Sequence, residues 1–344
     1  MTPRCPDCGA DVAEGLRACP GCGRLVFGAE LQQLAETARA AEDRGDLTAA
    51  LATWRRATSL LPPGTVQGRT IAKRMQTLSA TIDGRRRPAQ AGNPPSKGDG
   101  ARRGTWGAIA AAAGAALLKA KALVLILAGN LKLLVLGLAK IPTLLSMLIY
   151  FRWWSGGHDT WVAAGVVGSI YVHEMGHVAA LQRYGIAASA PMFLPGFGAL
   201  VRLRQYPTDA HEEARTGLAG PVWGFAAAIF AAALGWIAHL PTALEVASWG
   251  ATINCFNLVP VWQLDGSRGL KALSRQERLA VAGAGLLSAL AFHQWMPGVV
   301  GAIALGRAWG KDAHPTGDRR VAGLFVGLLL ALGALAMLPT TRPV

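Results

Sequence analysis

The stretch WVAAGVVGSIYVHEMGHVAAL, residues 161–181, decides the fold. Its length and apolarity suit a bilayer-crossing helix, which needs about 20 residues. Yet it carries His173, Glu174 and His177 as its only charged or readily ionised side chains. Each such group costs about 3 kcal/mol at the centre of a bilayer, so all three need a functional reason. On a helix His173 and His177 share a face, where two imidazoles can hold one Zn²⁺. Glu174 beside them suits removal of a proton from an attacking water. HExxH also arises by chance in soluble helices, but an apolar span selects against it.

Outward from this run, polarity divides the chain. It has 344 residues, is 52% hydrophobic and carries a formal charge of +14. Residues 1–104 are polar and arginine-rich, whereas most of the rest is apolar. This predicts a soluble N-terminal portion followed by a multi-span membrane portion. Residues 1–24 hold Cys, Pro, Gly and charge where a secretory signal would have an apolar core. Membrane insertion is therefore expected from the later runs. Arg85, Arg86, Arg87, Arg102 and Arg103 precede the first apolar run, as expected on the cytosolic side of a membrane with anionic lipid. No basic-aromatic reading surface appears, so no nucleic acid is expected as a partner.

Apolar runs lie at about 107–128, 131–154, 160–181, 216–238, 243–263, 279–309 and 320–338. The run 279–309 is interrupted near Met296-Pro297-Gly298, which allows it to form two helices. Lys119, Lys121, Lys132 and Lys140 fall in the first two runs, so one of these is expected to span and the other to lie at the interface. Trp153, Trp154 and Trp161 suit an interfacial belt. Basic residues follow the runs 160–181 (Arg183, Arg202, Arg204, Arg215) and 243–263 (Arg268, Lys271, Arg275, Arg278), which puts both loops in the cytosol. The predicted fold is an all-α polytopic membrane protein of about six spans, with the N-terminal portion cytosolic. His173 then lies roughly 12 Å from the cytosolic end of its helix.

Cys5-Pro-Asp-Cys8 and Cys19-Pro-Gly-Cys22 are two knuckles ten residues apart. The glycine after Cys8 and after Cys22 permits a turn that aims both sulfurs at one metal. Two disulfides are the other use of four cysteines, but paired knuckles in a cytosolic module favour a structural zinc ribbon over residues 1–27. Residues 28–82 read as three helices, at about 30–43, 46–61 and 65–82, with Asp46 as a cap. Their pattern fits either one tetratricopeptide-like unit with a supporting helix or a plain three-helix bundle. Either is a docking module, so residues 1–82 are expected to meet a protein partner. Residues 83–104 read as a flexible basic linker and residues 105–344 as the membrane domain, with its core at 160–266. Cys255 reads as a small buried residue. His211-Glu212-Glu213 lacks a second His and reads as a solvated face.

A hydrolytic zinc takes three protein ligands and leaves one position open. No further His follows His177 at ligand spacing, so the third ligand comes from elsewhere. Asp265, in Asn257-Leu-Val-Pro260-Val-Trp-Gln-Leu-Asp265-Gly266, reaches the cytosolic end of its run after Pro260 breaks the helix. By itself it reads as a ligand or as a helix-end charge.

HEMGH together with NLVPVWQLDG resembles the HExxH and NxxPxxxxDG pair of site-2 protease-type intramembrane metalloproteases. Gly220-Pro221-Val222-Trp223-Gly224 is similar to that family's GPxxN element, with Gly224 in place of Asn. Residues 189–200 also resemble the stretch that follows HExxH in many members. The resemblance covers about residues 130–310. It implies a three-span core at 160–181, 216–238 and 243–263, with a catalytic zinc on His173, His177 and Asp265 and Glu174 as general base. Asn257 would be substrate-binding, and Asn254, one turn earlier, reads either as a second substrate-binding residue or as a side chain that satisfies a buried backbone group. It implies an intramembrane zinc endopeptidase that cuts a transmembrane protein substrate, as in regulated intramembrane proteolysis. Cofactors would be one catalytic and one structural Zn²⁺. The competing reading is an inactive membrane scaffold or adaptor that docks partners through its ribbon and helices. Residues 193–204 read either as a short interfacial strand or re-entrant segment, able to pair with an unwound substrate, or as an ordinary loop.

Overall fold

The computed structural model describes residues 4–13, 15–84, 129, 131–138, 141–156, 159–188, 192–194, 198–200, 207 and 209–338. The run 107–128, Arg202, Arg204 and nearly all of the linker lie outside these. The chain divides into two compact units. One comprises 1–93 with 181–187 and 204–212, and the other comprises 94–180, 188–203 and 213–344.

In the first unit the two cysteine knuckles close as their glycines require. Gly9 and Gly23 take φ of 71° and 75° and donate back to the carbonyls of Cys5 and Cys19. Three helices follow: α1 (Gly28–Asp43), α2 (Leu47–Ser59) and α3 (Val66–Ile82). Asp46 and Thr65 cap α2 and α3 by accepting from the backbone of Ala49 and Gly68. Ala38, Ala41, Leu51, Trp54 and Met75 form the apolar seam. Glu42 binds the Trp54 indole at 2.6 Å and takes the Arg74 guanidinium bidentately, which fastens α3 to the α1–α2 pair.

The same unit holds residues 181–187 and 204–212. Arg55 on α2 pairs with Glu212 at 2.7 Å, with side chains only 3% and 0% exposed. Arg55 also donates to the Tyr184 carbonyl, Thr48 donates to that of Arg183, and Arg183 donates to that of Ile82. The Tyr184 hydroxyl donates to Asp83. This corrects the reading of residues 211–213 as a solvated face. The cation that neutralises Glu212 lies 157 residues away, beyond the reach of any local pattern.

The second unit is built on helices: α4 (Leu131–Leu138), α5 (Ile141–Trp154), α6 (Thr160–Arg183, of which 181–183 fall in the first unit), α7 (Ala210–Ile237, of which 210–212 fall in the first unit), α8 (Pro241–Asn257), α9 (Asp265–Leu270), α10 (Arg275–Phe292), α11 (Trp295–Arg307) and α12 (Arg319–Leu335). Strands β1 (Met192–Leu194) and β2 (Gly198–Leu200) pair antiparallel, with Phe193 opposite Ala199. Among the described residues α7, with 28 residues, is the helix that is long and apolar enough to cross a membrane. Its length of about 42 Å exceeds the hydrocarbon thickness.

The run 243–263 is helical only to Asn257, in keeping with the break expected at Pro260. The run 279–309 divides into two helices as expected, with the break at His293, which takes φ of 52°, a few residues before Pro297. Pro297 is the third residue of α11, where its missing N–H has no helical partner to lose.

Candidate active site

The site is built where α6, α7 and α8 meet and where α9 begins. All of its residues belong to the second unit. Gly176 on α6 sits where an added Cβ would lie 2.6 Å from the Ala219 carbonyl, so the α6 and α7 backbones approach closely. Gly220 is more demanding. A Cβ there would lie 2.2 Å from His177 Nε2 and 2.7 Å from His173 Nε2, in the space that the two imidazoles face.

His173, His177 and Asp265 are brought together and all are buried. Their Nε2 atoms are 3.2 Å apart, and the Asp265 oxygens lie 3.1 Å from His173 Nε2 and 3.3 Å from His177 Nε2. Donors about 2.1 Å from one tetrahedral zinc are roughly 3.4 Å from one another, so this spacing fits the ion.

The hydrogen bonds behind the imidazoles determine which nitrogen is free. Asn254 donates from Nδ2 to the Gly250 carbonyl at 2.7 Å, so its Oδ1 is the atom 2.8 Å from His173 Nδ1. His177 Nδ1 lies 2.8 Å from the Thr216 carbonyl. Both partners only accept, so each Nδ1 carries the proton and each Nε2 turns a lone pair inward. Two lone pairs and a carboxylate converging in a buried space suit a cation.

Glu174 is buried beside them, with Oε1 4.0 Å from His173 Nε2. Asn257 places Nδ2 3.4 Å from His173 Nε2, the nitrogen that turns its lone pair inward. Of the two uses expected for Asn254, the structure shows the satisfaction of a buried backbone group, with a hydrogen bond to His173 in addition. It is 2% exposed, and both ends of its amide are committed to His173 and Gly250. It also explains Gly224, because a Cβ there would lie 2.1 Å from Asn254 Oδ1. Asp265 opens α9, and Gly266 beside it is obligatory, since a Cβ would lie 1.8 Å from the Leu258 carbonyl.

Three contributors escaped sequence reading. The Thr216 carbonyl has no side-chain signal, although Pro221 one turn on marks an irregular helix. Arg307 donates to Pro260 and Ser267 on either side of Asp265. Trp262, between Pro260 and Asp265, takes φ of 46° and is 91% exposed.

The four knuckle cysteines form the other metal-competent cluster among the described residues. Cys5 and Cys22 sulfurs are 3.7 Å apart, those of Cys8 and Cys19 are 3.4 Å apart, and none is in a disulfide. Sulfurs at about 2.3 Å from a tetrahedral zinc would be roughly 3.8 Å apart. The backbone N–H of Cys22, foremost, draws the Cys19 thiol down to about 6, toward the thiolate that metals bind. Cys255 is buried, as expected.

Residues 161–248 match the family described as peptidase family M50. The match takes in His173, Glu174, His177 and Gly220, and ends before Asn254, Asn257 and Asp265. A curated zinc metalloprotease of Methanocaldococcus jannaschii is 26% identical over 110 residues. That region is 30% of this chain and 32% of that protein, so the chain spans about a third of the relative's length. No solved structure matches the chain.

Proposed function

We propose that this chain, whose residues 161–248 belong to peptidase family M50, is an intramembrane zinc metalloendopeptidase that cuts transmembrane segments of other proteins. The observation that carries the reading is the convergence of two Nε2 lone pairs and one carboxylate beside a buried Glu174. Bound there, zinc would polarise the scissile carbonyl and acidify the attacking water.

The protein's own groups supply the rest. His173, His177 and Asp265 hold the ion, and Asn254 and the Thr216 carbonyl fix the imidazole tautomers. Glu174 takes the proton of the attacking water and returns it to the leaving amine. Asn257 offers an amide N–H to the substrate carbonyl, where negative charge develops. A helical substrate hides its peptide bonds, so it must unwind before attack. The β1–β2 hairpin follows the HEMGH helix and is the candidate edge for an unwound segment.

About six spans, with residues 1–82 and the basic loops in the cytosol, fit the charge pattern. Exposed Phe230, Trp236, Ile237, Leu290 and Trp295 support lipid contact by the second unit. The ribbon would hold a second, structural zinc, and the helical module would meet a protein partner.

The test is cleavage of a panel of transmembrane peptides by wild type and Glu174→Gln, with zinc content measured in both. Cleavage that falls about 10²–10⁴-fold at unchanged zinc supports the reading. Zinc binding with no Glu174-dependent cleavage would favour an inactive scaffold instead.

A further inference from the structure

The segment that delivers Asp265 is neither helix nor strand: it has only short turns of its own, from Val261 to the Val259 carbonyl and from Leu264 to that of Val261, with Leu258 and Val259 buried at its start. Residues 258–264 leave α8, pass through Trp262 in the left-handed region, and enter α9 at Leu264, which offers no side-chain cap. A bulky residue at such a φ costs about 1–3 kcal/mol and persists only where its surroundings hold it.

Beyond these turns a side chain from another helix clamps the segment across Asp265: Arg307, the last residue of α11. Its Nη1 donates to the Pro260 carbonyl and to Ser267 Oγ, both at 3.1 Å, which brackets Asp265. Its Nη2 pairs with Asp312, whose other oxygen receives Arg278 Nη1 at 3.0 Å. Arg278 is fully buried and donates to the carbonyls of Arg307 at 2.9 Å, Asp312 at 2.9 Å and Leu270 at 3.1 Å. Two guanidiniums around one carboxylate thus fasten both ends of the segment 260–270. Arg278 also holds the Asp312 carboxyl below its ordinary range, so the network stays ionised at neutral pH.

We infer that Arg307 is a positioning residue for the metal ligand Asp265, with Asp312 and Arg278 as its support. This rests on the reading of Asp265 as a ligand. His173 and His177 share one rigid helix, whereas Asp265 reaches the ion from a turn. A ligand shell tolerates errors of only about 0.5 Å, so whatever fixes that turn sets the affinity.

The experiment is chelator competition on the full chain in detergent, with the ribbon zinc as internal reference and His173→Ala identifying the other zinc. Arg307→Gln should weaken the His173-dependent zinc about 10–100-fold and leave the ribbon zinc unchanged. Arg307→Lys should fall between, because an ammonium lacks the planar fork that reaches the segment through Nη1 and Asp312 through Nη2. Ser267→Ala, which removes one acceptor, should lose less than Arg307→Gln. Unchanged affinity in Arg307→Gln overturns the inference. So does weakening shared by both zincs with lost helicity, since that is general packing. If wild type binds this zinc but cuts nothing, the protease reading fails while the positioning role stands. If no zinc depends on His173, both fail.

Discussion

The cysteine cluster draws its four candidate ligands from 18 consecutive residues, 5–22, whereas the buried cluster joins His173 and His177 to an aspartate at 265. In the first, the turns that aim the sulfurs are coded by the glycine that follows each pair, so motif and geometry are nearly the same thing. In the second, the motif gives two candidate ligands and a candidate base, while distant residues set their orientation. Asn254 acts on His173 across 81 positions and Thr216 on His177 across 39. A local site should therefore fail through its own ligands. A dispersed site should also fail through residues that touch no metal.

The largest expected separation comes from Gly220→Ala. The added methyl would occupy the space that both imidazoles face, so the His173-dependent zinc and all cleavage should be lost with the ribbon zinc retained. Elemental analysis with a peptide assay reads both, and retained activity would break the contrast. Asn254→Leu frees His173 to rotate and change tautomer, and should weaken the same zinc about 10–100-fold by chelator competition.

Glu212→Ala tests whether the first unit depends on distant residues in the same way. It strands Arg55 in a buried site and should destabilise that unit by about 3–5 kcal/mol, read by hydrogen exchange in α2. The smallest effect is expected from acid. Arg74, with help from Trp54, holds the Glu42 carboxyl below its ordinary 4.5. A depressed carboxyl contributes stability above its unfolded value and loses it as pH falls through the folded one. Melting of the full chain should therefore show the α1–α3 transition weakening below about pH 4.5, and Glu42→Gln should flatten that dependence.

Legibility followed the same division. HEMGH, the knuckles and the cap at Asp46 were readable because each is complete within a few residues. Asp265 needed a paired motif, because one acid at a run's end has two meanings. Asn254 was visible as a polar residue in an apolar helix, but its task depended on Gly250, Gly224 and His173 meeting in space. The helix break fell at His293 because Pro297 sits in a first turn, where proline is harmless. Glu212 looked solvated because charge next to charge is a surface pattern until a buried arginine arrives from elsewhere.

The central claim is two independent zinc centres, one local and one assembled from distant residues. The direct measurement is zinc per chain in purified wild type, in His173→Ala/His177→Ala and in Cys5→Ser/Cys19→Ser. Two zincs are expected in wild type and one in each variant, with cleavage lost when the histidines are changed. A single zinc in wild type, or loss of both ions from either variant, would contradict it.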